Sequence, residues 1–318
     1  SLTPGGGLRV QPSEFAKIMT IMALARFLGD RNSSHVASPK SIVGAVAIPV
    51  IPMALVAQQP DLGTAVSFGA ALIPMLYWAG MRPLFIFFLV APLLSVVCSF
   101  EPLWQDQAPI VFALFIIISS VVIQLLLARL WVTLTMLAVN LSAGLVTVYL
   151  WANFLRDYQK ARILTFLDPE RDALGSGWNI IQSKIAIGSG GPTGKGFLQG
   201  TQTKYEFLPA AHTDFIFSVI GEELGFMGTV FVLSLFLFVI WRALFIGTLA
   251  NSRFASLLAV GLGSMLTFHV FVNVGMTIGV MPVTGLPLPF LSYGGSSLIT
   301  NALAVGLLLH IYAHRHEY

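Results

Sequence analysis

The chain has 318 residues, of which 56% are hydrophobic and only 10% charged. An ordinary soluble domain carries about 25% charged residues, and a mean hydropathy of +0.83 leaves too few charges to cover a water-soluble particle of this size. The apolar segments are near-continuous rather than alternating, which excludes a membrane β-barrel and predicts an all-α polytopic membrane protein.

A helix needs about 20 apolar residues to cross a bilayer core. Nine runs approach this, near 13–29, 41–58, 62–80, 83–99, 109–128, 130–152, 214–242, 254–277 and 294–313. They predict a single membrane domain over 1–318. The exception to its short connections is 153–213, which holds 12 of the 31 charged residues and is too polar to cross. Arg26, Arg31, Lys40, Arg82, Arg129, Arg242, Arg253 and Arg315 mark alternate connections. By the positive-inside rule these are cytoplasmic, and 153–213 is a large extracytoplasmic loop. Long loops translocate regardless of charge, so its seven Lys/Arg do not oppose this. The arrangement puts Ser1 outside.

The first run opens with Gln11-Pro-Ser-Glu-Phe-Ala-Lys17. On a helix, Glu14 and Lys17 share one face within ion-pair reach. The alternative is a helix-start pair solvated at the interface. Pro49 and Pro52 predict a broken second span, and Pro74 a broken third. Asp61, in Gln58-Gln-Pro-Asp-Leu-Gly-Thr64, is placed to cap the third span, which does not exclude a role in a site. Glu101–Asp106 is an acidic outer connection.

In the long loop, Trp178, Ile181 and Ile185 are spaced for one helical face that could lie along the membrane surface. The following Ile187-Gly-Ser-Gly-Gly-Pro-Thr-Gly-Lys-Gly196 resembles a nucleotide P-loop but fails its pattern at Ser189 and Gly196. Its amides, with Lys184, Lys195 and Lys204, could hold a pyrophosphate as a nest. A flexible Gly-rich loop is the alternative.

Asp214 opens the seventh span, followed by Glu222 and Glu223. Capping explains Asp214 alone, whereas carboxylates deeper in a span call for water, cations or a polar ligand. The stretch 281–295 holds three prolines (Pro282, Pro287, Pro289) and three glycines (Gly285, Gly294, Gly295) and cannot be a regular helix. It reads as an outside loop or a re-entrant segment. The six histidines give no metal pattern: His310, His314 and His316 form a tail, and His212 stands two residues from Asp214. One cysteine, Cys98, excludes a disulfide framework and a cysteine-based zinc site. A site of both signs beside the bilayer suits an amphiphile with an anionic head, handled by an enzyme or a transporter. No nucleic-acid partner is expected.

The motifs QPSEFAK (11–17), QQPDLGTA (58–65), FLDPERDALGSGWNIIQSKIAIGSGGPTGKG (166–196), GTQTKYEFLPAAHTDFIFSVIGEELG (200–225) and FVNVGMTIGVMPVTGLPLPFLSYGGSS (271–297) resemble those of the SEDS (shape, elongation, division and sporulation) family, and its RodA branch more than its FtsW branch. The resemblance covers nearly the whole chain. It implies a SEDS-type helical bundle in the bacterial cytoplasmic membrane that polymerises lipid II into glycan strands at the outer face during elongation. The leaving group would be undecaprenyl pyrophosphate and the partner a class B penicillin-binding protein, a transpeptidase. The family's essential aspartate matches Asp214, and its cavity residues match Glu14, Lys17 and Asp61. Thr213, Glu222 and Ser292, in the matching motifs, are counted with Lys184 and Lys195 as substrate-binding residues. A divalent cation, Mg or Mn, could stabilise the leaving group. Members usually have ten spans, with about three before QPSE, so upstream spans are expected to be missing here. The stretch 100–152 is longer than usual by about one helix pair. A lipid II flippase and an FtsW-type division polymerase are the alternative functions.

Overall fold

A computed structural model describes residues 11–315 apart from 32–35, 37, 60, 128, 155–156, 174, 176, 205–206 and 209. His316 of the predicted tail lies outside the described residues. The fold is all-helical, with no strand among the described residues. The helices are α1 (Pro12–Gly29), α2 (Pro39–Ala57), α3 (Leu62–Ser67), α4 (Leu72–Trp78), α5 (Pro83–Cys98), α6 (Glu101–Trp104), α7 (Ala108–Leu127), α8 (Leu130–Asn153), α9 (Asp157–Leu167), α10 (Trp178–Ser189), α11 (Thr201–Lys204), α12 (Ile216–Leu249), α13 (Arg253–Thr277) and α14 (Gly295–Ala313). Six helical stretches are long and apolar enough to cross a membrane. The chain is a multi-pass membrane protein.

Local chemistry sets several boundaries. Pro12 and Pro39 occupy first-turn positions, where a missing N–H costs nothing. Ser38, Asp61 and Ser252 cap α2, α3 and α13 by accepting from the backbone N–H three residues on. The second span is not broken as expected, because α2 runs on through Pro49 and Pro52. The third span does break, at the turn 68–71. Pro74 clashes with a helical carbonyl four residues back, at Ala70, inside that turn.

The chain divides into two compact units. One comprises Arg82–Gly177. Within it, Ser95 donates to the Asn140 carbonyl at 2.6 Å, joining α5 to α8. Gly144 of α8 lies against the Phe112 ring of α7, where a side chain would collide. Small residues at such contacts let membrane helices approach closely.

The other unit comprises Ser1–Met81 and Trp178–Tyr318. Its centre is α13, the most buried of the candidate spans, packed against α1, α4, α12 and α14. At one end Arg253 donates to the Arg31 and Ala79 carbonyls, and Trp78 Nε1 donates to Ser256 Oγ at 2.8 Å. At the other end the Gln11 amide donates to Ser296 Oγ at 2.9 Å, fixing the start of α1 to the start of α14.

Helix α12 departs from the predicted span 214–242. Its 34 residues would reach about 51 Å at 1.5 Å per residue, well beyond a ~30 Å core. Gly225, at φ 65° and ψ −164°, divides it. The part after Gly225 is alone long enough to span, so residues 216–224 form a separate short helix leading into it.

Candidate functional site

All the predicted site residues lie in the unit built around α13. Glu14 and Lys17 are buried, at 3% and 1% exposure, and Lys17 Nζ donates to Glu14 Oε1 at 2.8 Å. The interface-solvated alternative is thereby excluded. The ammonium also meets His269 Nε2 of α13 at 3.1 Å. Asp61 is half-buried, caps α3 through the Thr64 amide at 3.0 Å, and acts on the Lys17 charge from a third helix.

Residues 281–293 link this cluster to Asp214. The segment is irregular, and its Leu286 and Leu288 are 1% exposed. Asn273 Nδ2 donates to the Leu286 carbonyl at 2.8 Å. Asn273 stands four residues before the end of α13, so Leu286 reaches about 6 Å back beside the helix. The segment is therefore folded into the protein, the setting in which irregular backbone survives near membrane depth. Gly63 of α3 lies against Thr284 too closely for any side chain, and a Cβ on Gly285 would stand 3.7 Å from Asp214 Oδ2.

The backbone around Asp214 is clamped. Asn273 Nδ2 donates to the Asp214 carbonyl at 2.9 Å, Ser292 Oγ donates to the Thr213 carbonyl, and the Tyr293 amide donates to the His212 carbonyl at 2.9 Å. Ser292 Oγ in turn accepts from the Leu288 amide at 2.7 Å. Thus Thr213 and Ser292 hold the segment together. The Asp214 side chain is in no ion pair among the described residues. Burial pushes its carboxyl above the usual carboxylate range, and a hydrogen bond from Thr213 partly offsets this.

Lys184 and Lys195 separate. Ser183 of α10 hydrogen-bonds Ser218, one turn past Asp214, and donates to the Thr277 carbonyl, both at 2.6 Å. Lys184 follows it, exposed, with Nζ beside Gly279. Lys195 is committed elsewhere: its Nζ donates to Glu222 Oε1 at 2.7 Å. The fully buried Glu222 also accepts from the Thr201 amide and hydroxyl, each at 2.8 Å, and from the Gln202 amide at 3.2 Å. Glu222 thus caps α11 and anchors the basic loop.

The Gly-rich loop is neither a free nest nor a flexible tether. The amides of Lys195 and Gly196 donate to the carbonyls of Glu222 and Glu223, each at 3.0 Å. The carbonyls of Gly191 and Pro192 accept from Phe226 and Met227 at 2.8 and 3.0 Å. A break at Gly225 leaves helical donors and acceptors unpaired on both sides, and the loop pairs four of them. It meets α12 from Gly221 to Met227, about 10 Å or more along the axis from Asp214.

Helix α10 turns Ser183 inward and Ile185 outward, as a helix lying along the membrane surface requires. Gln182, Ser183, Ile180 and Ala186 are buried, whereas Ile185 is exposed. The polar Ser183 has partners inside, so the stripe through Trp178 and Ile185 is left on the outside. Among the described residues no group of three or more His, Cys, Asp or Glu converges as a metal site. A cavity of about 560 Å³ between Met22, Ser252, Leu258 and His310 lies at the Arg253 end.

The sequence profile of the FtsW/RodA/SpoVE cell cycle proteins matches residues 5–109 and 103–317. The peptidoglycan glycosyltransferase RodA of Treponema pallidum is 40% identical, over 98% of this chain and 76% of its own length. The peptidoglycan glycosyltransferase MrdB of Escherichia coli K12 is 39% identical, over 98% of this chain and 70% of its own. A chain of a solved peptidoglycan synthase complex aligns with TM-score 0.67 at 31% identity, covering 99% of this chain and 74% of that one. Thermus thermophilus RodA aligns at TM-score 0.56 and 23% identity, over 99% of this chain and 70% of that one, a likeness of fold. The chain belongs to the FtsW/RodA/SpoVE family.

Proposed function

We propose that this chain polymerises lipid II into the glycan strands of peptidoglycan, at the outer face of the bacterial cytoplasmic membrane, during cell elongation. Membership of a family whose relatives are named peptidoglycan glycosyltransferases supports the reaction class. The observation that carries the chemistry is Asp214. Its backbone is fixed by Asn273 and that of Thr213 by Ser292, its carboxyl is in no ion pair among the described residues, and burial raises its proton affinity.

A sugar hydroxyl is a weak nucleophile, and a positioned general base contributes about 10²–10⁴-fold. Asp214 takes the proton of the 4-hydroxyl of one disaccharide as that oxygen attacks the anomeric carbon of another. The new C–O bond forms as the bond from the anomeric carbon to the pyrophosphate oxygen breaks, with inversion. Undecaprenyl pyrophosphate leaves with the electron pair. Lys184, exposed beside Gly279 and not committed to an ion pair among the described residues, is assigned to stabilise it. Glu14, Lys17 and Asp61 bind the polar head of a substrate at the other side of the 281–293 segment. Among the described residues no cluster of side chains forms a metal cage, and no step here is routed through a cation. The solved complex that the chain resembles coordinates polymerization and crosslinking. This supports a class B penicillin-binding protein as partner.

The test is glycan synthesis from labelled lipid II by the purified full-length protein with its transpeptidase. Polymer is expected. Movement of lipid II between leaflets without polymer would contradict the reading.

A further inference from the structure

His269 has no part in the assignments above. It is 1% exposed in α13, 252 residues from Lys17 in sequence. An ammonium has three donors and no lone pair. With Lys17 Nζ donating to Glu14 Oε1 at 2.8 Å, the 3.1 Å contact to His269 requires Nε2 to accept. That fixes the tautomer, with the ring proton on Nδ1. His269 Nδ1 has no hydrogen-bond partner among the described residues. The imidazole therefore acts through one atom alone.

Lysine carries its charge on a flexible four-carbon stem. Glu14, one turn away on the same helix, leaves Nζ free to pivot about the carboxylate. A second acceptor from α13 fixes the ammonium at one point between α1 and α13, where the Asp61 charge of α3 also acts on it. We propose that His269 is a positioning residue: through Nε2 it holds the Lys17 ammonium in the orientation in which the site binds its lipid-linked substrate. The role in substrate binding rests on the glycosyltransferase reading, whereas the Lys17–His269 hold does not.

Side-chain lengths supply the test. Glutamine places an amide oxygen near the position of Nε2, and gives up no bond at the unpartnered Nδ1. Asparagine stops at the Nδ1 position and cannot reach Lys17. Methionine fills the space without a strong acceptor. His269→Gln, His269→Asn and His269→Met are made in the full-length protein with its transpeptidase partner, each alone and with Lys17→Met. Thermal unfolding and the KM and kcat for lipid II are measured. His269→Gln is expected to stay near wild type. His269→Asn and His269→Met are expected to lose at least about tenfold in kcat/KM, the scale of one hydrogen bond to a charged group, chiefly through KM. In the Lys17→Met background they should cost little more.

Equal activity of the Gln, Asn and Met variants would overturn the proposal, as would losses that persist undiminished without Lys17. The melting data separate the two claims. Additive melting shifts in an active polymerase would sink the proposal alone. Coupled shifts in a protein that never polymerises would sink the glycosyltransferase reading and leave the hold on Lys17 standing.

Discussion

Asp214 is held by its backbone and its carboxylate is in no ion pair among the described residues, a division suited to a group that must exchange a proton. The folded protein binds that proton more tightly than the unfolded chain does, because burial raises the carboxyl. Its contribution to stability is full below the unfolded pKa of about 3.9 and is lost as pH rises through the raised value. At neutral pH the ionised Asp214 is therefore a cost to folding. Asp214→Asn is expected to melt at the same or a higher temperature than wild type near neutral pH, with the gain fading toward pH ~4. Differential scanning measurements across pH check this. The acid limb of the wild-type rate should lie above the ordinary carboxylate range, since a base must be ionised to act.

At the scale of elements, the informative feature is the loop that splices the break in α12. Glu222 and Lys195 were candidates for substrate contact, and their partners give them a different task. If Lys195 serves the splice, Lys195→Met should lower stability by about 1–3 kcal/mol, by leaving a buried carboxylate short of its cation. Glu222→Ala should cost more, because it also orphans the Thr201 and Gln202 amides. Thermal melts and polymer assays on the same samples would show activity falling in step with stability. Loss of activity from Lys195→Met without any change in melting would return Lys195 to the substrate.

What could be read from sequence follows from this same distinction. The Glu14–Lys17 pair and the Asp61 cap are set by spacings of three residues within one helix, so they were visible beforehand. The splice was not, because nothing local in the Gly-rich segment says which carbonyls it will meet, and Gly225 does not announce a broken helix. His269 was invisible as well. A single histidine in an apolar run has no meaning until α13 is packed on α1. The outward stripe of α10, by contrast, is legible in its spacing. Trp178, Ile181 and Ile185 share one face, and Ile185 is exposed where lipid offers apolar side chains a home, while the hydroxyl of Ser183 finds its partners inside.

For the whole molecule, the charge pattern and the site agree on a direction. The end of the α13 unit with Arg26, Arg31 and Arg253 is basic, and Asp214, the 281–293 segment and α10 gather at the opposite end. The orientation is tested by thiol labelling in a Cys98→Ser background. Gly188, exposed and with open space about it, replaced by Cys should react with an impermeant reagent in intact cells. His314→Cys should react only after lysis. The reverse pattern would place the site inside and remove it from a lipid II pool at the outer face. The same geometry leaves broad apolar helix faces on α7 and α8.

The most direct measurement concerns one atom pair on one residue. Asparagine keeps the size of Asp214 and caps a helix about as well, but it cannot take a proton. Purified full-length Asp214→Asn with its transpeptidase should bind lipid II within a few-fold of wild type and melt no lower. It should make glycan at a rate reduced by about 10²-fold or more, the contribution of a general base. Near-normal polymer from a folded Asp214→Asn protein would contradict the assignment of Asp214 as the base.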